Sequence, residues 1–138
     1  MKYNVHDNQW NDTLLRLEDG RTDHSCFLFN QKVIITGGYS RSGILNSTEI
    51  IDIIGNELKL RKGKDMMEPR QRHGMGVISF NEVPTLVLFG GDGNAIGLLE
   101  TIEEWNDRSQ IWERSKLTMN HTRMEFGFAT LPTGLVCV

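Results

Sequence analysis

Thr85-Leu-Val-Leu-Phe-Gly-Gly91 is the stretch of sequence that decides the fold. Five uncharged residues run directly into two glycines, and a short apolar run of this kind predicts a strand buried on both faces. Lys32-Val-Ile-Ile-Thr-Gly-Gly38 has a similar form, and its glycine pair precedes the later pair by 53 residues. The chain is therefore expected to repeat one β unit roughly every 50 residues.

The two glycine pairs, Gly37-Gly38 and Gly90-Gly91, stand where a predicted strand meets a neighbouring unit. A side chain there would collide with that unit, and glycine also permits the positive φ angle that turns the chain outward. Residues 90–97 are rich in glycine but lack the Lys-Ser/Thr and the following helix of a phosphate-binding loop. We interpret them as a strand-ending turn.

Further markers keep the same phase as the glycine pairs. An arginine precedes each predicted innermost strand, and these arginines are Arg21, Arg70 and Arg123. We expect them to make salt bridges or hydrogen bonds to adjacent units. Tryptophans are expected in the outer strands, where burying one indole contributes on the order of 4–6 kcal/mol as an upper bound. The tryptophans in phase are Trp10, Trp105 and Trp112.

One unit divides into four short strands joined by turns. The predicted strands cover residues 73–80, 85–89, 98–105 and 110–114, with turns at 81–84 and 106–109. Four antiparallel strands repeated at this spacing are typical of a β-propeller blade. We predict an all-β chain that contains the end of one blade and a linker (1–20), a full repeat (21–69), a second (70–122) and the start of another (123–138).

This pattern resembles the kelch repeat, which has an arginine and often a histidine before the innermost strand, a glycine pair after the second strand and a tryptophan on the fourth. Ile51, Leu58 and Phe126 depart from it, at positions usually held by an aromatic residue, tryptophan and histidine. The resemblance implies a kelch-type β-propeller fragment of about two and a half four-stranded antiparallel blades. Because its end strands would expose unpaired backbone, we expect a piece of a longer protein that folds poorly or self-associates alone.

Composition argues against a nucleic-acid-binding protein. The chain is 38% hydrophobic and 24% charged, with a formal net charge of −3, which is typical of a globular domain. A basic cluster is too small to change this expectation, and we interpret it as a solvated loop. It consists of Lys59, Arg61, Lys62 and Lys64.

The sequence shows neither a signal peptide nor a membrane span, so a soluble cytoplasmic protein is expected. Cys26 and Cys137 are far apart and give no disulfide framework, which suits a reducing compartment. Three Asn-x-Ser/Thr sequons leave a secreted parent protein as an alternative, and they begin at Asn11, Asn46 and Asn120.

The sequence predicts neither a catalytic nor a metal-binding constellation. His24 and His73 hold equivalent positions in separate units and are not expected to share a metal. Ser25 and Ser79 lack the nearby base and acid of a catalytic triad. We therefore expect no enzyme activity, no cofactor and no metal.

Function is accordingly expected on the surface. In kelch propellers, which the sequence resembles, partners bind the loops between the second and third strands and the residues just before the innermost strand. Such loops vary without disturbing the packed strands, and charged and aromatic side chains suit recognition of a protein or peptide. Carried onto this chain, the resemblance implies a partner-binding rim of Asp23, Tyr39, Ser40, Arg41, Arg72, Asp92, Asn94 and Glu125.

The most similar family is that of the BTB-kelch proteins, whose propeller captures a substrate for a cullin-based ubiquitin ligase. The resemblance implies this role, although the 138 residues contain no BTB or BACK helices. Two alternatives stay open, an actin-associated kelch protein and a propeller enzyme of the galactose-oxidase type. The enzyme would need copper and a set of Tyr, His and Cys ligands, and neither Tyr3 nor Tyr39 has a cysteine in phase.

Overall fold

The computed structural model describes residues 2–80, 83–130 and 136–137. The expected all-β class is confirmed, since these residues form antiparallel sheets and one short 3-10 helix, Asn94–Ile96. None of them lies in a helix long and apolar enough to cross a membrane. The strands are β1 (Lys2–Asn4), β2 (Gln9–Asn11), β3 (Ser25–Phe29), β4 (Lys32–Thr36), β5 (Tyr39–Ser40), β6 (Gly43–Ile44), β7 (Thr48–Ile54), β8 (Glu57–Lys62), β9 (Gly74–Phe80), β10 (Val83–Phe89), β11 (Thr101–Asn106), β12 (Ile111–Thr118), β13 (Ala129–Thr130) and β14 (Val136–Cys137).

Two four-stranded sheets follow one another along the chain. The first has the order β3-β4-β7-β8, and the small hairpin β5-β6 branches from the connection between β4 and β7. The second contains β9, β10, β11 and β12 in sequence order. β4 and β10 are the apolar runs that precede the glycine pairs, and both are second strands flanked on two sides by hydrogen-bonded neighbours. The central place of these runs explains their lack of alternation.

Two predicted strand boundaries in the second sheet are wrong. β10 begins at Val83, so Pro84 lies in a strand where a turn was expected. The ring is tolerated because β10 pairs there with β9 alone, while β11 pairs only from Val87 onward. β11 begins at Thr101, since Leu98 makes only an isolated bridge to Asp92. The predicted turn residues 81 and 82 lie outside the described residues.

The N-terminal hairpin β1-β2 places Trp10 differently from the other two tryptophans. The Trp10 side chain is 67% exposed and contacts the Tyr3 ring, with 5.2 Å between centroids. Trp105 and Trp112, in contrast, are buried in the second sheet. Trp10 is therefore not a core residue of the described structure, although its phase predicted the same role.

The core lies between the two four-stranded sheets. Ile34 and Ile50 from the first sheet pack in one cluster with Trp105 and Trp112 from the second. The Trp112 indole also donates a hydrogen bond from Nε1 to Thr48 Oγ1 across the interface, over 3.0 Å. The sheets thus share one core, and the outermost strand of the second sheet reaches the third strand of the first.

The first sheet contacts the second through polar side chains of β3 and β4, near the start of β9. Thr36 Oγ1 lies 2.9 Å from His73 Nε2, and Ser25 Oγ donates to the His73 carbonyl oxygen. Burial, with the charges of Arg70 and His24, lowers the pKa of His73 to about 3. We call Ser25, Thr36 and His73 the polar joint. His73 is a neutral imidazole there, which agrees with its buried position.

The second sheet meets the segment that follows it through aromatic rings. Phe89 holds the place of Thr36, directly before a glycine pair, and Phe126 holds the place of His73. The Phe89 and Phe126 rings lie 5.7 Å apart between centroids. Gly74, paired with Phe89 on the neighbouring strand, leaves room for the Phe89 ring. We call Gly74, Phe89 and Phe126 the aromatic joint.

Candidate functional site

The glycine pairs make the closest contact between successive units. Gly38 N–H donates to the Arg70 carbonyl oxygen over 2.9 Å, and Gly91 N–H donates to that of Arg123 over 2.7 Å. All four glycines have positive φ angles. A Cβ atom on Gly37 would collide with the Arg70 carbonyl oxygen, and one on Gly90 would stand 2.8 Å from the Arg123 carbonyl oxygen. The predicted reason for the glycine pairs is confirmed on both counts.

The arginines in phase use their side chains differently from the expectation. Arg70 is fully buried, and its guanidinium donates to the Glu103 carboxylate over 2.8 Å and to the Gly90 carbonyl oxygen over 2.8 Å. Arg21 bonds Glu49 in the same way, over 2.5 Å. Both side-chain partners belong to the arginine's own sheet, and both glutamates are buried. The bonds to the preceding unit come from the backbone: the Arg70 and Arg123 carbonyl oxygens accept from Gly38 and Gly91, and the Arg70 N–H donates to the Leu45 carbonyl oxygen.

The buried Arg70–Glu103 pair is a structural element of the second sheet. Burial lowers the pKa of Arg70, and the Glu103 charge acts in the opposite direction. The second carboxylate oxygen of Glu103 accepts the Met67 backbone N–H over 2.8 Å, so the pair also fixes the chain that leads into the sheet. Each charge is compensated, and removal of one partner would leave the other buried and unpaired.

Three of the predicted partner-binding residues form a row across successive units. Asp23, Arg72 and Glu125 have φ angles of 54°, 55° and 54°, a conformation rare for side-chain-bearing residues. Arg72 N–H donates to the Asp23 carbonyl oxygen, and Glu125 N–H donates to the Arg72 carbonyl oxygen. The Arg72 guanidinium lies 3.5 Å from the Asp23 carboxylate and 3.1 Å from that of Glu125. The row therefore presents alternating charges held by a repeated backbone geometry.

The second predicted set lies beside this row. Tyr39 exchanges two backbone hydrogen bonds with Thr22, and Asp92 exchanges two with Gln71. Thr22 and Gln71 each precede a member of the row, so both sets lie at the same end of the sheets. We call the solvent-accessible members the loop surface, which comprises Asp23, Tyr39, Arg41, Arg72, Asp92, Asn94 and Glu125.

Ser40 is placed apart from the other predicted residues. Its side chain is buried, and its hydroxyl forms a 2.7 Å hydrogen bond with Ser42 Oγ inside the β5-β6 hairpin. Asp92 both stabilises its loop and stays accessible to a partner. Its carboxylate accepts the Asn94 backbone N–H over 2.9 Å, and its side chain is half-exposed. Ser40 thus stabilises the β5-β6 hairpin and is not a solvent-accessible member of the loop surface.

A groove beside Arg41 was missed by sequence reasoning. Its volume is about 400 Å³, and Glu18 and Asp19 line it together with the β5-β6 hairpin. These acidic residues directly precede Gly20 and Arg21, and this position next to a repeat marker is the sequence signal that could have indicated the groove. They add negative charge next to the loop surface.

Outside the loop surface, the titratable residues that the structure describes do not come together in a metal site. No group of three or more His, Cys, Asp or Glu side chains in the described ranges is placed to hold a metal ion. Ser25 donates its hydroxyl proton to a backbone carbonyl oxygen, and His73 is buried between the sheets. What the described residues offer chemically is therefore a surface of hydrogen-bonding, charged and aromatic groups.

Comparisons with known proteins show the fold alone. No known protein family matches the chain, and no curated protein sequence matches it. Among solved structures, the chain is similar to one described as "Structure of YjhT", with a TM-score of 0.66 and 16% sequence identity. The match covers 84% of this chain and 33% of that one, so this chain spans about a third of the length of YjhT.

Proposed function

We propose that this chain is part of a kelch-type β-propeller and that it binds a protein partner through the loop surface. Two four-stranded antiparallel sheets in series support the propeller, since their glycine pairs and buried Arg–Glu pairs repeat in the same places. The fold similarity to a longer chain, of which the match covers 33%, is what part of a larger ring would give.

The observation that carries the binding role is the row of Asp23, Arg72 and Glu125 beside Tyr39. These side chains are accessible, yet their backbone is held in place. Asp23, Arg72 and Glu125 are joined by hydrogen bonds between successive units, and Tyr39 is joined to Thr22 of its own unit. A partner that binds a preorganised surface loses less conformational entropy than one that must order flexible loops. Tyr39 is 50% exposed, and an exposed aromatic next to an arginine is typical of the residues that dominate protein interfaces.

Within this proposal, the partner is the substrate protein of a cullin-based ubiquitin ligase. This role rests on the resemblance of the repeat to that of the BTB-kelch proteins. The free and exposed thiol of Cys26 suits the reducing cytoplasm in which such ligases act. Asp23, Arg72 and Tyr39 are then the residues that select the substrate.

The experiment compares the unchanged chain and two variants as baits for affinity capture from a cell extract, followed by mass spectrometry. Arg72→Ala combined with Tyr39→Ala should lose proteins that the unchanged chain captures. Arg108→Ala, an exposed arginine in the turn between β11 and β12, is the matched control and should retain them. Equal capture by all three baits would contradict the proposal.

Stability separates this effect from damage to the fold. Arg72→Ala should lower the free energy of unfolding by no more than about 0.5 kcal/mol, as for an ordinary surface change. Trp112→Ala removes a buried indole and should cost about 3–5 kcal/mol. If urea denaturation gave similar losses for both variants, the distinction between loop surface and core would be wrong.

A further inference from the structure

A groove of about 500 Å³ lies between the end of β8 and the turn that joins β11 to β12. Arg61, Lys62, Lys64 and Asp65 line it from the first unit, and Ser109 and Gln110 line it from the second. Three cations thus face one carboxylate in a chain whose formal net charge is −3. The groove shares no residue with the loop surface.

Arg61 gives this groove a fixed wall. Its Nε donates to the Asp52 carboxylate over 2.6 Å, and its Nη2 donates to Gln110 Oε1 over 3.0 Å. The guanidinium is therefore held by Asp52 of the first sheet and by Gln110 in the turn of the second unit. A wall that is already ordered does not have to be immobilised when a ligand binds.

Lys62 and Lys64 supply the charge that remains uncompensated. Both are exposed, and among the described residues no ion pair joins either ammonium group to an acid. They stand two residues apart, with Gly63 between them, and the Gly63 N–H is already bonded to the Thr48 carbonyl oxygen. The two lysines thus lie on either side of an anchored residue and bring six N–H donors to one groove.

We propose that this groove binds an anionic group, a phosphate or a carboxylate, carried by a partner peptide. Lys62 and Lys64 donate charge-assisted hydrogen bonds to the anion, and Ser109 adds a neutral hydroxyl. The competing explanation is that lysines on an edge strand only prevent sheets from pairing edge to edge. Lys116, exposed on the other outer strand β12 and outside the groove, tests that explanation directly.

Titration calorimetry at low ionic strength tests the proposal with three probes. These are inorganic phosphate, a peptide with one phosphoserine, and the same peptide with glutamate in its place. Binding of phosphate and the phosphopeptide is expected, and it should weaken as salt is added. Comparable binding of the glutamate peptide would identify a carboxylate as a sufficient anionic group, and a lack of binding by that peptide would identify phosphate.

The double variant Lys62→Gln/Lys64→Gln should weaken binding roughly tenfold or more. Lys116→Gln and the loop-surface variant Arg72→Ala should leave it unchanged, and the near-ultraviolet circular dichroism of the buried tryptophans should be the same in all variants. The proposal is overturned if phosphate and the phosphopeptide do not bind, if the double variant binds as tightly as the unchanged chain, or if Lys116→Gln loses as much affinity as the double variant.

Discussion

Thr36 and Phe89 occupy the same place in the two four-stranded sheets, directly before a glycine pair, and yet they meet their neighbours through opposite chemistry. Thr36 hydrogen-bonds to the buried ring of His73, whereas Phe89 packs against Phe126. A hydroxyl facing Phe126, or a phenyl ring facing His73, would leave a buried polar group without a partner. In each joint, the residue before the glycine pair therefore has to match the residue that it contacts in the next unit.

A third position belongs to the same match. Ser25 in the first sheet and Gly74 in the second are the strand neighbours of Thr36 and Phe89. Ser25 has room for a side chain and uses it to bond the neighbouring unit, whereas a Cβ atom on Gly74 would stand 2.5 Å from the Phe89 ring. The comparison teaches that the identity of a residue in this fold is set across the interface between units as much as within its own strand.

The largest expected effect comes from breaking the aromatic joint. Phe89→Ala removes a buried ring and should lower the free energy of unfolding by about 3–5 kcal/mol. Thr36→Ala, at the equivalent place in the polar joint, removes one hydrogen-bond partner of His73 and should cost about 1–3 kcal/mol. Urea denaturation monitored by tryptophan fluorescence measures both, and equal losses would mean that the two joints are not energetically distinct.

A smaller effect tests the space that the aromatic joint requires. Gly74→Ala forces the Phe89 and Phe126 rings aside and should cost about 1–3 kcal/mol by overpacking, since the backbone of Gly74 is not left-handed. Gly127→Ala is the control, because no atom lies within 4 Å of a Cβ at that position. A thermal melt in which both variants shift equally would show that loss of glycine flexibility, and not the ring contact, is responsible.

The polar joint alone should respond to acid between neutral pH and about pH 5. Burial lowers the pKa of His73 from 6.5 to about 3. Between pH 6.5 and about 3, the imidazole is therefore protonated in the unfolded chain and neutral in the folded chain. The free energy of unfolding is therefore unaffected by His73 above about pH 6.5, and it falls as the pH is lowered, by up to ~1.4 kcal/mol per pH unit. His73→Phe should remove this slope from urea denaturation series recorded at several pH values, and an unchanged slope would assign it to another group.

The sequence was sufficient for features that repeat along the chain. The apolar runs and their glycine pairs predicted an all-β chain and a close contact at Gly37 and Gly90, because both signals are local. It did not predict that Arg70 pairs with Glu103, since alternation alone does not show which of two adjacent glutamates faces inward. The pairing of β11 with β12 also shifts in register between Thr101 and Glu103, and nothing in the local composition marks this shift.

The candidate site likewise has a part that the sequence predicted and a part that it did not. The resemblance to the kelch repeat implies Asp23, Arg72 and Glu125 as rim residues, and the structure brings them into one row. The hydrogen bond of Ser40 to Ser42 depends on the conformation of the β5-β6 hairpin, which the residue pattern did not predict. The groove beside Arg41 forms where that hairpin meets Glu18 and Asp19, which are distant in sequence. The salt bridges of Arg72 likewise arise only when successive units are adjacent.

The hydrogen bonds between backbone groups of successive units have an evolutionary consequence. Gly38 reaches the Arg70 carbonyl oxygen, and Arg72 reaches that of Asp23, without any contribution from a side chain. A duplicated or recombined unit therefore carries its own connectors, an amide on one side and a carbonyl on the other. Gene rearrangement can then change the order of units without loss of these backbone hydrogen bonds. Selection acts instead on side-chain combinations such as Thr36 with His73, which must be inherited together.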